Sequence, residues 1–164
     1  MNGKKYLRLF LYIIADLLCF SLQNTHGMLF GIIGMTPLLT CALAYGVAVY
    51  DNVNFALITA AVSGVLSEIT LGSVIGPYAI LLTAMCFLIN RSSNYFDSGA
   101  LFAVITAVGY SVLACLGVLI CFSVQNGINI SFEQFVNHGL LRGLYTWLFC
   151  VIACMIMKKQ PVED

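Results

Sequence analysis

The stretch from Phe55 to Arg91 constrains this chain more than any other part of it. It is apolar almost throughout, is interrupted once by a short turn, and carries one acid, Glu68, before it closes on a base. Two adjoining apolar helices of that length point to a bilayer rather than water as their solvent. In the first arm Ala56, Ala60, Gly64 and Glu68 recur every four residues and share one helical face. Small residues at that spacing let a second backbone come close inside a membrane, where packing replaces the hydrophobic effect between helices. Glu68 lies on the same face, and an acid there is expected to face protein or a watery cavity rather than lipid. The turn from Thr70 to Gly76 follows, with Gly72 inside it, and Pro77 stands where the first turn of a helix tolerates proline.

The rest of the chain is of the same kind. Of 164 residues, 61% are hydrophobic and 9% charged, against about a quarter charged in soluble domains. At about 20 residues per crossing there is room for about six spans and no separate soluble domain. The expected fold is an all-α integral membrane protein, a single membrane domain over residues 1–164. Its six transmembrane helices, in one bundle, are expected at about 6–22, 37–50, 53–69, 77–90, 99–124 and 132–158. The net charge is zero, so a basic surface for nucleic acid is absent. Lys4, Lys5 and Arg8 ahead of an apolar run resemble a signal peptide. No clear small-x-small cleavage site precedes Gln23, so the segment reads as the first membrane helix. All seven cysteines lie in apolar runs without a CxxC or Cys/His pattern. They read as free, packed thiols, and neither a metal site nor a cofactor is expected.

In the first helix Asp16 shares a face with Cys19 or Phe20 and with Gln23. It reads either as a polar group bonded to neighbouring helices or as a proton or ion site. No second acid or histidine stands at helical spacing, which favours the former. Residues 24–36 are glycine-rich and too short to span, and read as an external loop or re-entrant piece. Thr36 and Pro37 read as the N-cap and first residue of the second helix. Ala103, Ala107, Ser111 and Cys115 repeat the small face in the fifth helix. Ser131 to Gln134 is an S-x-x-Q capping box, which marks a helix starting on the membrane surface and running into the sixth span. There Gly139 and Gly143 form a G-x-x-x-G beside Arg142. With six spans, Lys4, Lys5, Arg8, Arg91, Lys158 and Lys159 fall on one side and Arg142 near the other. The positive-inside rule then makes both termini cytoplasmic.

The hairpin resembles the core of the MreD family, small membrane proteins of the bacterial rod-shape (elongation) machinery. The residues that carry the resemblance are Gly64-Val65-Leu66-Ser67-Glu68, Leu71-Gly72-Ser73, Ile75-Gly76 and the apolar helix closing in Arg91. Leu22-Gln23 and Pro37-Leu38-Leu39 match the end of the family's first helix and the start of its second. Two positions depart from the pattern: the family's usual acid is Asp where this chain has Glu68, and Leu38 stands where a polar residue often follows the proline. The motif residues cover about the first half of the chain, and the remainder is similar only as membrane helices. The resemblance implies a non-enzymatic subunit of the bacterial plasma (inner) membrane. Such a subunit binds an MreC-type shape protein and helps couple cytoskeletal filaments to the cell-wall (peptidoglycan) synthase complex. It also implies a six-helix fold similar to the substrate-binding subunits of energy-coupling-factor vitamin transporters. The candidate partner-binding or structural residues are Asp16, Gln23, Pro37, Ala56, Ala60, Gly64, Glu68, Gly72, Gly76, Ala107 and Arg142.

Catalysis needs a nucleophile with a base, paired acids or a metal set. His26 and His138 have no acid at helical spacing, and Asp16, Asp51, Glu68 and Asp97 lie in different segments. No catalytic residue is expected. The competing reading is a substrate-binding membrane subunit of a small-molecule transporter. Its pocket would draw on Gln23, Asn24, His26, Glu68, Asn126 and Arg142 on the external side, with the glycine-rich residues 27–34 as a gate. Glu68 is expected to bond the adjoining turn or to pair with a cation such as Arg142. The small faces of the third and fifth helices suggest docking of a partner's transmembrane helix, or else close packing wholly within the bundle.

Overall fold

The computed structural model describes residues 3–25, 36–71, 76–95, 100–127 and 131–158. Over those residues the chain forms six helices and no strand: α1 (Gly3–Asn24), α2 (Leu39–Tyr50), α3 (Val53–Leu71), α4 (Pro77–Tyr95), α5 (Ala100–Asn126) and a final continuous rod. The rod consists of a short α6 (Phe132–Gln134), a π-helix (Phe135–Leu141) and α7 (Arg142–Lys158). α1, α3, α5 and the rod are each long and apolar enough to cross a membrane. α2 has 12 residues and is therefore about 18 Å long, short of the roughly 30 Å hydrocarbon core.

α2 is the hub of the molecule. Ten of its twelve residues are buried, and it touches α1, α3, α4, α5 and α7. A helix without charges that is apolar on every side has no face to give to solvent. The others surround it in chain order, α1 on α3, α3 on α4, α4 on α5 and α5 on α7. The core around α2 includes Tyr45, Tyr78 and Tyr110 with Cys41, Cys86, Cys115, Cys150 and Cys154. Buried phenols require partners. The Tyr45 hydroxyl donates to the Ala103 carbonyl (2.6 Å), the Tyr110 hydroxyl to the Cys41 carbonyl (3.1 Å), and the Tyr78 hydroxyl lies 3.2 Å from Cys41 Sγ. All seven cysteines are free thiols. Outward, Leu7, Phe10 and Leu18 of α1, Ile80 and Leu88 of α4, Leu101 and Ile105 of α5, and Met155 and Ile156 of α7 are more than half exposed. So much exposed apolar surface is foreign to a soluble monomer and ordinary against lipid.

Several helix ends differ from the sequence expectation. α2 starts at Leu39, and its N-cap is Leu38, with no side-chain cap of its own. Thr36 is therefore not the cap, nor Pro37 the first helical residue. The Leu38 amide donates instead to Thr146 Oγ1 of α7 at 3.2 Å, so a neighbouring helix supplies what the local sequence does not. α4 continues past Asn90 to Tyr95. The capping box forms: Gln134 N donates to Ser131 Oγ, and Ser131 N donates to Gln134 Oε1. Residues 26–35, with the loop or gate and His26, and Gly72, Asp97 and Lys159 lie outside the described residues.

Candidate functional site

The α3–α4 hairpin is built from one face of α3. Ala56, Ala60 and Glu68 on that face are fully buried. At Gly64 a Cβ would lie 2.4 Å from Ala79 Cα and 2.9 Å from Ala79 Cβ, so the two backbones are in contact there. One turn further along α3, the Glu68 carboxylate reaches the first turn of α4. Its Oε2 accepts from Gly76 N (2.7 Å), and its Oε1 accepts from Tyr78 N (2.5 Å) and Ala79 N (3.4 Å). Pro77, between them, has no amide hydrogen to satisfy. A helix N-terminus presents unpaired amides and positive dipole, the natural partner of a carboxylate. Glu68 thus caps α4 from another helix. Gly76 makes the approach with a φ of +135°, a conformation that favours glycine.

The other small faces also turn inward. Ala103, Ala107 and Ser111 of α5 are buried. The G-x-x-x-G runs along α5, with Gly139 over Leu116 and Gly143 over Val112, where a Cβ would stand 2.9 Å from the Val112 Cα. Ala56, Ala60, Gly64 and Ala107 are thus buried within the bundle, the internal packing that is the second of the two expectations for these faces. Arg142, half-buried, donates from Nε to the Thr36 carbonyl at 2.8 Å. It therefore holds the entry to α2, beside the buried Pro37.

Two polar clusters tie α1 to the bundle; the sequence reading missed the first and anticipated the second only as Asp16 bonded to neighbouring helices. At the end of the bundle where α1 starts and α2 ends, the Asp51 side chain is 1% exposed and that of Arg8 27%. Tyr12 OH donates to Asp51 Oδ2 (2.7 Å), and Arg8 Nε lies 2.9 Å from Tyr12 OH and 3.1 Å from Asp51 Oδ2. Asn90 of α4 donates from Nδ2 to the Ala48 and Asp51 carbonyls (2.8 and 2.9 Å), closing the C-terminal end of α2. Arg8 and Tyr12 stand at i,i+4, a spacing that marks a shared face. Their partner, Asp51 at the C-terminal cap of α2, was not legible from that spacing. The second cluster joins α1, α2 and α3. Asp16, fully buried, has Oδ1 and Oδ2 at 3.0 and 2.9 Å from Ser63 Oγ, which is also 3.3 Å from the Thr40 carbonyl oxygen. Gln23, also buried, meets Thr40 Oγ1 at 3.5 Å, a long contact.

The structure thus brings Gly64, Glu68 and Gly76 together as one lock, Asp16 onto the α1–α3 contact and Gln23 onto the α1–α2 contact. Arg142 is joined to Thr36, next to Pro37. Among the described residues, no group of three or more His, Cys, Asp or Glu is arranged to hold a metal ion. An apolar groove of about 190 Å³ lies between α1, α2 and α7, lined by Cys19, Leu43, Phe149 and Met157 among others. It lacks the convergent polar groups of a small-molecule pocket. No family model, no curated protein and no solved structure matches the chain.

Proposed function

We propose that this chain is a non-enzymatic, six-span scaffold of the bacterial plasma membrane, of the MreD type. In this reading it binds an MreC-type shape protein and helps couple cytoskeletal filaments to peptidoglycan synthesis. One observation carries it. The residues on which the resemblance rests, Gly64, Glu68 and Gly76, act as a single device, a hairpin clamped by backbone contact and a buried cap. Family motifs made of glycine and aliphatic residues are weak as spelling, but here they share one physical task. The same end of the bundle gathers Gln23, Glu68 and Arg142, each engaged with neighbouring segments of the chain. Polar groups used in that way suit a rigid scaffold better than an open ligand site.

The alternation of the helices and the basic residues support a reading of six crossings with both termini cytoplasmic, in which the short α2 crosses inside the ring of the other helices rather than against lipid. Arg8 and Asn90 meet at the α2–α3 turn through Asp51, so α1 starts and α4 ends on one side. That side carries Lys5, Arg8 and Arg91. A partner helix would dock on the outward, lipid-facing surface, because the small faces are already packed. The test is co-purification with an MreC-type shape protein from the same genome, with monodispersity in detergent checked for each preparation. Retention of that partner supports the scaffold. A chain that retains none but arrives with a stoichiometric small molecule is a transporter subunit instead.

A further inference from the structure

Asp16 and Glu68 are both buried acids inside the bundle, yet their surroundings differ in kind. Glu68 accepts from three backbone amides. Asp16 has one hydrogen-bond partner among the described residues, the Ser63 hydroxyl, which touches both of its oxygens and the Thr40 carbonyl as well. A hydroxyl has one hydrogen, and an ionised carboxylate has none to give. Three acceptor oxygens therefore converge on a single hydrogen. A buried ionised carboxylate with one donor and no cation is among the most unfavourable arrangements in a protein interior, and more so at membrane depth.

Among the described residues no cation relieves it. α1 packs on α2 and α3, and the titratable side chains facing Asp16 are the thiols of Cys19 on α1 and Cys41 on α2. On α3 the acid Glu68 is occupied with the start of α4. Arg8, two turns down α1, is bound to Tyr12 and Asp51.

We infer that Asp16 is a proton-binding site, holding a hydrogen at neutral pH as a carboxylic acid that clasps three helices. With that hydrogen the distances balance. The Asp16 O–H donates to Ser63 Oγ, and the Ser63 O–H donates to the Thr40 carbonyl. Each hydrogen then has one acceptor, and α1, α3 and α2 are joined in series. α1 has the smallest buried share of the four long apolar helices, so this clasp is a principal polar tie between it and the bundle.

The test is infrared spectroscopy of the purified chain in lipid at neutral pH, as a difference between wild type and Asp16→Asn. Asparagine keeps the shape and supplies donors, so the variant is expected to fold. The expected difference is a protonated-carboxyl C=O band present in wild type and lost in Asp16→Asn. In Ser63→Ala the band persists but moves to higher frequency as its hydrogen bond is removed. Absence of the band from wild type overturns the inference. So does a band that appears only when sodium and potassium are replaced by a bulky organic cation, because the site then holds a metal cation. A band unmoved by Ser63→Ala overturns the clasp.

Discussion

Replacing Glu68 with alanine removes the acceptor of three backbone amides at once. Two of the bonds are short, 2.7 Å from Gly76 N and 2.5 Å from Tyr78 N, and the third, from Ala79 N, is long at 3.4 Å. Interhelical hydrogen bonds in membranes average about 0.6 kcal/mol, with a maximum near 1.7, so neutral bonding alone would amount to about 2 kcal/mol here. Two features raise the figure. The acceptor is a carboxylate at a helix N-terminus, where bonds to a charged group are worth about 1.5–3 kcal/mol each. Tyr78 is fully buried, so its amide is left without water, whereas Gly76 is only half-buried and can be rehydrated. The expected loss is about 3–5 kcal/mol, the range for breaking a buried charged contact. Glu68→Gln keeps one oxygen and turns an NH2 toward an amide, for about 2 kcal/mol. Glu68→Asp keeps the charge but falls about 1.5 Å short, for about 1 kcal/mol. The assay is reversible unfolding in mixed micelles, with membrane protein level as a second readout. The order Ala, then Gln, then Asp is the signature. An alanine variant within about 0.5 kcal/mol of wild type, the range of surface changes, would refute the capping argument.

Gly64→Ala drives a methyl to 2.4 Å from Ala79 Cα, whereas nothing lies within 4 Å of a Cβ at Gly109. Gly64→Ala should cost about 1–3 kcal/mol and Gly109→Ala should be neutral or stabilising by up to about 1; equal thermal shifts in detergent would contradict the α3–α4 contact. Asp51→Ala strands Tyr12 and Arg8 and should lower stability by about 1–3 kcal/mol. Arg8→Lys should cost less, because Tyr12 still donates to Asp51, and the reverse order in unfolding titrations counts against the cluster. Cysteines at Lys5 and Glu133, both exposed, should react oppositely with an impermeant maleimide on intact cells. Only Glu133→Cys should label, and external labelling of Lys5→Cys contradicts the cytoplasmic N-terminus.

The sequence by itself determined the helical content and pointed to a bilayer as the solvent. Long apolar runs with single charges leave a bilayer helix as the form that satisfies every backbone group locally, and the Ser131–Gln134 capping box and Pro77 marked their starts because those signals act within one turn. It also singled out Glu68, since four-residue periodicity aligns it with Ala56, Ala60 and Gly64 on any helix. What periodicity cannot say is which surface that face meets. A small-residue stripe reads the same whether it welcomes a partner or its own neighbour, and only the packed bundle gave Gly64 to Ala79 and Gly143 to Val112. The same holds for α2. Its twelve residues carry no local cap, so its start was misread at Thr36 and Pro37. Thr146 and Arg142, more than a hundred residues later in the chain, supply the missing contacts. Asp51 and Asp16 found Tyr12 and Ser63 in the same manner, through contacts 39 and 47 residues apart. Side-chain partners at such separations depend on how the helices are arranged around the hub, and that arrangement is a property of the whole fold.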